Sequence, residues 1–427
     1  MPAAPITHLH AVTRPLERPV ELLRYTDAES PLVWTRGDRG CAGSGEAMRL
    51  EFSGEDRFTA AAAAWRGVAE HAVVDDPIRL PGTGLIAFGT FAFDDRSAAS
   101  SVLIVPEVVV SHHGDAAWVT RISTEPILEP PASAESWLRE LLTPRNSAPE
   151  RWTGTVLDTD AIDAEYLAGV EGATQLIADG HAEKIVIARQ VTGSIDAADD
   201  LRVPLSRLAE SYTDCWTYAV DGMIGASPET LVRQSGGTIS ARVLAGTRGR
   251  RADRASDLRE RDELLANQKE QHEHAFAVQS VVTALAPHVR DLHTSVEPFA
   301  LELPNVWHLA TDLRAVPAED RTCLDLVAVL HPTAAVAGTP TREAVEAIAR
   351  LEPFDRQRYA GATGWIGAHG DGEWVIALRG AQIGATRDGR RTVTAYAGGG
   401  IVAGSDSRHE LRETVSKFTP IAEALAP

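Results

Sequence analysis

The pattern of apolar and polar positions is mixed in the first third of the chain and becomes regular afterwards. Residues 56–74 are rich in alanine and predict a helix, while residues 84–94 and 101–110 predict strands broken by glycine or proline. Prolines then surround one short predicted helix at residues 134–142. We therefore expect the segment between Pro126 and Pro149 to connect two parts of the chain.

The second part opens with a helix and a strand whose faces can be assigned. The helix closes at Asp179-Gly180, and its apolar stripe consists of Tyr166, Val170, Ala173 and Ile177. In the strand EKIVIARQV, alternation places Lys184 on the same face as Val186, Ala188 and Gln190. Further strands are predicted near Ile239, Trp365, Ile376 and Tyr396, and further helices at residues 257–286, 342–351 and 408–418. Because strands and helices do not alternate regularly, the pattern favours an α+β fold with antiparallel sheets.

The composition is that of an ordinary globular protein, and its charge limits the partners. The 427 residues include 41 Lys and Arg against 60 Asp and Glu, which gives a net charge of −19. This charge repels nucleic acid and anionic membranes, so we expect neither as a partner, although basic groups or a metal ion could reverse the field in one pocket. No export signal or long apolar run is present, and the three cysteines lie far apart. We therefore expect a cytoplasmic protein with reduced thiols.

Two residues could act as a base and an acid, although each also has a simple structural explanation. Lys184 opens an apolar strand, where apolar walls and nearby cations could lower the pKa of its ammonium group. A lysine that extends to water at a strand end is the commoner case. Ser227, Pro228 and Glu229 have the form of a helix start, which capping alone would explain. Catalysis by Glu229 would require a carboxyl that is protonated at neutral pH.

Two pairs of glutamates suit a divalent metal ion. Glu270 and Glu273 are three residues apart, as are Glu410 and Glu413, so each pair can share one face of a helix. Carboxylates from two helices fit Mg²⁺, which prefers oxygen ligands. Solvated charged faces are the simpler alternative. Zinc is disfavoured because no HExxH motif accompanies these residues.

Three further features could bind an anion. A glycine triplet at 398–400 follows a strand and precedes a predicted helix start near Asp406, so bare backbone N–H groups could meet a carboxylate. A tight turn is the alternative explanation of the triplet. Arg379 ends an apolar strand and could bind a carboxylate through two hydrogen bonds. Tyr359 lies just ahead of another predicted strand, and both side chains are also explained as ordinary strand-end residues.

The order and the sequences of these motifs resemble those of the chorismate-using enzymes. This family includes isochorismate, salicylate, anthranilate and aminodeoxychorismate synthases. The resemblance runs from about residue 158 to residue 420 through EKIVIARQV, GASPETLV, LAGTRGR, KEQHEHAFAV, LPNVWHLAT, LHPTAAVAGTPT, RYAGATGW, ALRGAQ and AGGGIVAGSDSRHELRETVSK. It implies an α+β fold like that of anthranilate synthase component I, with antiparallel sheets in the core and helices packed outside. Residues 1–150 would be a divergent N-terminal part of this fold, and residues 151–427 the chorismate-binding catalytic region.

The resemblance also implies a role for each candidate residue. Lys184 would be the base that activates water for addition at C2 of chorismate, and Glu229 the acid that protonates the departing C4 hydroxyl. A Mg²⁺ ion would be held by Glu273 and Glu413, with Glu410 close by through water. The remaining residues would bind or line the substrate: Thr247, His308, Tyr359, Arg379, Gly398, Gly399, Gly400 and Lys417.

Within the family, the sequence is most similar to isochorismate synthases. Aminating members usually carry glutamine at the position of Lys184 and depend on a glutaminase, whose motif is not found here, although aminodeoxychorismate synthases share the lysine. The stretch HPTAAVAGTPT at residues 331–341 is similar to isochorismate synthases, with Ala334 and Ala337 as departures. We therefore expect an isomerase that converts chorismate to isochorismate with Mg²⁺, and we expect a monomer without a glutaminase subunit.

Three alternatives stay open at this point. A salicylate synthase would form isochorismate and then eliminate pyruvate, and an aminating enzyme would use ammonia in place of water. A catalytically inactive protein that only binds chorismate would lack turnover altogether. Whether the product serves menaquinone, siderophore or salicylate biosynthesis is not determined by these residues.

Overall fold

Nine α-helices occur in the described part of the chain. The computed structural model describes residues 8–127, 133–141, 151–302, 306–318 and 321–427, except for the side chains of residues 141, 269 and 273. The helices are α1 (Arg57–His71), α2 (Ala134–Leu141), α3 (Ala164–Ala178), α4 (Arg202–Ser211), α5 (Arg254–Ala266), α6 (Gln268–Leu285), α7 (Cys323–Leu330), α8 (Thr341–Leu351) and α9 (Ser407–Leu425). Of these described helices, none is both long and apolar enough to cross a membrane.

Strands are more numerous than helices. Over the same described ranges they are β1 (His10–Leu16), β2 (Leu32–Arg36), β3 (Arg39–Ser44), β4 (Met48–Phe52), β5 (Val73–Asp75), β6 (Ile86–Thr90), β7 (Ser101–Val105), β8 (Val108–His113), β9 (Ala116–Ser123), β10 (Lys184–Asp196), β11 (Trp216–Val220), β12 (Met223–Ser227), β13 (Thr230–Ser235), β14 (Thr238–Gly249), β15 (Val289–Thr294), β16 (Phe299–Glu302), β17 (Val306–Pro317), β18 (Gly338–Thr339), β19 (Ala362–Gly367), β20 (Gly372–Ile376), β21 (Gly380–Arg387) and β22 (Arg390–Ile401).

These strands form two large sheets. The first has twelve strands in the order β18-β10-β22-β21-β12-β11-β2-β3-β8-β9-β1-β5. The second has ten strands, with the path β15-β17-β14-β13-β20-β19-β6-β7-β4 and with β16 also paired to β17. Neighbouring strands are antiparallel, as between β10 and β22 and between β14 and β17, except that β1 and β5 are parallel. The predicted α+β fold with antiparallel sheets is confirmed, and both sheets contain strands from before and after residue 150.

A continuous apolar core joins the two sheets. It includes Trp34 and Tyr218 from the first sheet and Phe88 and Trp374 from the second, all of which are buried. Helices α3, α8 and α9 pack on β10 and β22, while α6 and α7 pack on β14 and β13. The helices therefore cover the sheets from outside, where each can bury one apolar face.

At two places that lie next to each other, here called the first and the second crossing, the chain passes from one sheet to the other. β12 of the first sheet is followed two residues later by β13 of the second, and β20 of the second is followed by β21 of the first. The crossings lie side by side, because the Ile376 N–H donates to the Glu229 carbonyl at 3.1 Å and the Ala226 N–H donates to the Arg379 carbonyl at 3.3 Å. Glu229 and Arg379 are thereby held where the two sheets meet.

The structure corrects several local predictions. Residues 257–286 form two helices, α5 and α6, rather than one, and the apolar run near Ile376 is divided between β20 and β21 by the second crossing. Ser227, Pro228 and Glu229 do not begin a helix. The Ser227 hydroxyl does accept from the Glu229 N–H at 3.2 Å, as a cap would, but it also donates to the Ile376 carbonyl at 2.6 Å. Sheet pairing on both sides therefore overrides the local helix signal.

Candidate active site

One cavity of about 320 Å³ brings the sequence candidates together. It is lined by residues from both crossings, from β10, β14, β17 and β22, and from α6 and α9. Every predicted site residue with a described side chain lines this cavity: Lys184, Glu229, Thr247, His308, Tyr359, Arg379, Gly398, Gly399, Gly400, Glu410, Glu413 and Lys417. The side chain of Glu273 lies outside the described part of the structure.

The glycine triplet lies inside β22 and makes room for the side chains of its neighbours. β22 pairs with β10, with Val186 opposite Gly400. A Cβ atom on Gly400 would lie 2.5 Å from Lys184 Cε, and one on Gly399 would lie 3.1 Å from Glu410 Oε2. A side chain at position 400 would therefore displace Lys184. The triplet is a strand segment and not the tight turn that the sequence allowed.

Glu229 can hold a proton near neutral pH. Burial raises the pKa of its carboxyl group to about 7, although the charges of Lys184 and Arg379 act in the opposite direction. A carboxyl group with this pKa can donate a proton at the pH of most cells, as a general acid must. Lys184 reaches the same cavity from the start of β10. The site therefore presents a lysine side chain and a carboxyl group that can carry a proton near neutral pH to one space.

Arg379 and two stacked tyrosines form another part of the wall. Arg379 has a positive φ of 52° at the second crossing, and its buried Nη1 has no hydrogen-bond partner among the described residues. Burial lowers the pKa of the guanidinium, yet an arginine remains charged and suits a carboxylate. Tyr359 stacks on Tyr396 with ring centroids 5.1 Å apart, and burial raises the pKa of Tyr359 to about 12.

Tyr396 is a cavity residue that the sequence reasoning missed. A signal was present, because alternation along β22 places Tyr396 on the same face as Gly398 and Gly400. Glu270 is not among the residues that the family resemblance implies, although it can share a helical face with Glu273. It lines the cavity from the first turn of α6.

Thr247 and His308 are directly opposite each other on β14 and β17. The Thr247 Oγ1 and His308 Nδ1 atoms are 2.9 Å apart. Burial, together with the charge of Arg379, lowers the pKa of His308 to about 4. The imidazole is therefore neutral at physiological pH and can line the cavity without adding charge.

Helix α9 presents three charged side chains to the cavity. It begins as the sequence predicted, with the Asp406 carboxylate accepting from the His409 N–H at 2.8 Å. Lys417 Nζ lies 2.7 Å from a Glu413 carboxylate oxygen and donates to the Gly398 carbonyl at 2.8 Å. Lys417 thus ties α9 to β22 and fixes the position of Glu413.

The carboxylates around the cavity suit a hard cation. Glu270 from α6 and Glu410 and Glu413 from α9 line the same space, and carboxylate oxygens are the ligands that Mg²⁺ prefers. In the described ranges, no group of three His, Cys, Asp or Glu residues is close enough to form a metal cluster by itself. A Mg²⁺ ion bound here could take carboxylate oxygens from these two helices and complete its shell with water or substrate oxygens.

The sequence and fold are similar to those of known proteins. A family model described as chorismate binding enzyme matches residues 9–426. Isochorismate synthase DhbC of Bacillus subtilis is 37% identical over 273 residues, which cover 61% of this chain and 67% of the relative. The salicylate biosynthesis isochorismate synthase of Pseudomonas aeruginosa is 30% identical over 426 residues, which cover 94% of this chain and 86% of the relative.

A solved structure extends the likeness to the fold of the whole chain. The menaquinone-specific isochorismate synthase MenF from Escherichia coli superposes with a TM-score of 0.76 and covers 98% of this chain and 94% of its own. Its sequence identity is 24%, so this comparison supports the fold alone.

Proposed function

Because this chain belongs to the chorismate binding enzyme family, we propose that it is an isochorismate synthase that converts chorismate to isochorismate with Mg²⁺. The observation that carries the proposal is the meeting of Lys184 and Glu229 in one cavity, where burial raises the pKa of Glu229 to about 7. The names of the relatives support the same reaction.

Lys184 and Glu229 divide the proton transfers of the reaction. Once the ammonium group of Lys184 has lost its own proton, the amine removes a proton from a water molecule as the water oxygen bonds to C2 of the ring. Glu229 gives its proton to the C4 hydroxyl, which leaves as water while the ring double bonds shift. One water is added and one is lost, so the reaction is an isomerisation. An acid and a base of this kind each contribute about 10²–10⁴-fold to a rate.

The other cavity residues bind the two carboxylates of the substrate. Arg379 offers a charged donor at the second crossing, and Lys417 and the backbone N–H groups of β22 offer further donors. Glu270, Glu410 and Glu413, together with Glu273, would hold Mg²⁺. Bound Mg²⁺ would neutralise charge on a substrate carboxylate, which explains how an anionic substrate enters a protein with a net charge of −19.

The experiment is to incubate the purified protein with chorismate and Mg²⁺ and to analyse the products by chromatography and NMR. We expect isochorismate as the product, with no salicylate fluorescence and no aminated product when ammonium is added. Accumulation of salicylate would favour the alternative in which pyruvate is also eliminated. Chorismate binding without turnover, measured by calorimetry, would instead indicate a binding protein and overturn the proposal.

A further inference from the structure

The hydroxyl group of Tyr166 is buried and has no hydrogen-bond partner among the described residues. Tyr166 lies in the first turn of α3, and only 2% of its surface is exposed. Its ring belongs to the apolar core that joins the two sheets. Buried hydroxyl groups usually have a partner, so an unpaired one calls for an explanation. Packing explains the ring of Tyr166 but not its hydroxyl group.

The space left by Gly399 brings this hydroxyl group close to the wall of the catalytic cavity. A Cβ atom on Gly399 would lie 3.1 Å from Glu410 Oε2, 3.7 Å from the Tyr166 hydroxyl oxygen and 3.9 Å from Lys417 Nζ. The three side chains therefore border one space beside β22. Glu410 and Lys417 also line the catalytic cavity, whereas Tyr166 does not. Tyr166 thus lies directly behind the charged wall that α9 provides.

Glu410 is the charged residue that acts most strongly on this phenol. Burial raises the pKa of Tyr166, and the charges of Glu410 and, to a smaller extent, Glu413 raise it further. The phenol therefore keeps its proton at physiological pH and can donate it in a hydrogen bond. Glu410 is itself only 8% exposed, and a buried carboxylate needs donors in place of the water that it has lost. Ser405 supplies one hydrogen bond to Glu410, and because a carboxylate can accept about four, there is room for Tyr166 as another donor.

We propose that Tyr166 is a positioning residue of the metal site, and that its hydroxyl group donates a hydrogen bond to the Glu410 carboxylate, directly or through one bound water molecule. This inference rests on the proposed Mg²⁺-dependent function. The hydrogen bond would fix the orientation in which Glu410, or a water molecule bound to it, meets the metal ion. A partner that orients a metal ligand in this way typically contributes about 10–100-fold to metal affinity.

The test is the substitution Tyr166→Phe, which removes only the hydroxyl group and keeps the buried ring. Mg²⁺ is titrated into the full-length protein without substrate, and binding is followed by calorimetry and by the rise in unfolding temperature that a bound ligand causes. We expect the Kd for Mg²⁺ to rise about tenfold in Tyr166→Phe, because Glu410 loses the donor that orients it. Binding of the metal alone measures this effect without reference to catalysis.

Two further variants show whether the effect belongs to this hydroxyl group and passes through Glu410. Tyr25→Phe is the matched control, because Tyr25 is also buried but packs in a different apolar cluster, and it should leave the Kd for Mg²⁺ unchanged. A double-mutant cycle combines Tyr166→Phe with Glu410→Ala. In the Glu410→Ala background, Tyr166→Phe should change the Kd by less than about twofold, because the carboxylate that the hydroxyl group orients is already gone.

The outcomes separate this inference from the proposed function. An unchanged Kd in Tyr166→Phe, with or without a change in unfolding temperature, would assign Tyr166 a purely structural role and overturn the inference alone. An equally large rise in the Glu410→Ala background would overturn it too, because Tyr166 would then act by another route. Absence of Mg²⁺ binding by the native protein would refute both the inference and the metal dependence of the proposed function. A product other than isochorismate, with the weakened Mg²⁺ binding of Tyr166→Phe retained, would refute the proposed function alone.

Discussion

Glu229 and Glu413 line the same cavity, but their surroundings move their pKa values in opposite directions. At the first crossing, burial raises the pKa of Glu229 to about 7 in spite of Lys184 and Arg379. On α9, burial also opposes ionisation of Glu413, but the Lys417 ammonium 2.7 Å away, together with the charges of His409 and Arg379, lowers the pKa. One wall thus holds a carboxyl group with a pKa near neutral pH and the other a carboxylate. The neighbours of a residue, and not its type, set its chemical role.

The largest effect on kcat is expected from a substitution that removes the base facing the acid. Lys184→Ala should lower kcat by about 10³–10⁴-fold, because the amine of Lys417 in the same cavity is held by Glu413 and by the Gly398 carbonyl. Product formation at saturating chorismate measures this. The matched control is Glu183→Gln, which changes an exposed neighbour at the same strand end and should leave kcat unchanged. Turnover that persists in Lys184→Ala would show that Lys184 is not the base.

Removal of the protonated carboxyl should be the next largest effect and should change the pH profile. The raised pKa of Glu229 means that its acidic form is present below about pH 7 and is lost above it. We therefore expect kcat of the native protein to fall as the pH rises through about 7 and beyond. Glu229→Gln should lower kcat by about 10²–10³-fold and abolish this fall. A fall that persists in Glu229→Gln would assign the titration to another group.

A smaller effect should follow from filling the space beside Lys184. The new Cβ in Gly400→Ala would lie 2.5 Å from Lys184 Cε, so the amine must move. We expect kcat to fall by roughly 10–100-fold, as displacements near 1 Å can cause. Gly384→Ala in β21 is the control, because its new Cβ would make ordinary contacts of 3.6 Å with Thr392. Equal activity of the two variants would show that the close approach has no catalytic consequence.

The smallest effect is expected from a change in the carboxylates that α9 presents to the cavity. Glu413→Gln should raise the Mg²⁺ concentration needed for half-maximal activity by at least about tenfold, which is typical even for an outer-shell partner of a metal. Titration of activity with Mg²⁺ after removal of metal by a chelator measures this. Glu423→Gln changes an exposed residue of the same helix and should have no effect. An identical Mg²⁺ requirement in both variants would exclude Glu413 from the metal site.

Much of the fold and of the site composition could be predicted from the sequence. Apolar spacing located α3 and β10, and the Asp406 cap located the start of α9, because these signals act between residues a few positions apart. The order of the motifs identified the family and selected the residues that line the cavity. Glu270 was missed because the resemblance carried over only its partner, Glu273.

Only the tertiary structure decided how these residues act. Glu229 looked like part of a helix start, but it lies at a crossing between sheets, and the glycine triplet looked like a turn but lies within β22. Arg39 donates a hydrogen bond to Glu373, although the two residues are 334 positions apart. Burial, charge balance and the space beside a glycine depend on strands that are distant in sequence. Local patterns contain no information about which distant strands become neighbours, and so the sequence determined the parts of the site while folding determined their chemistry.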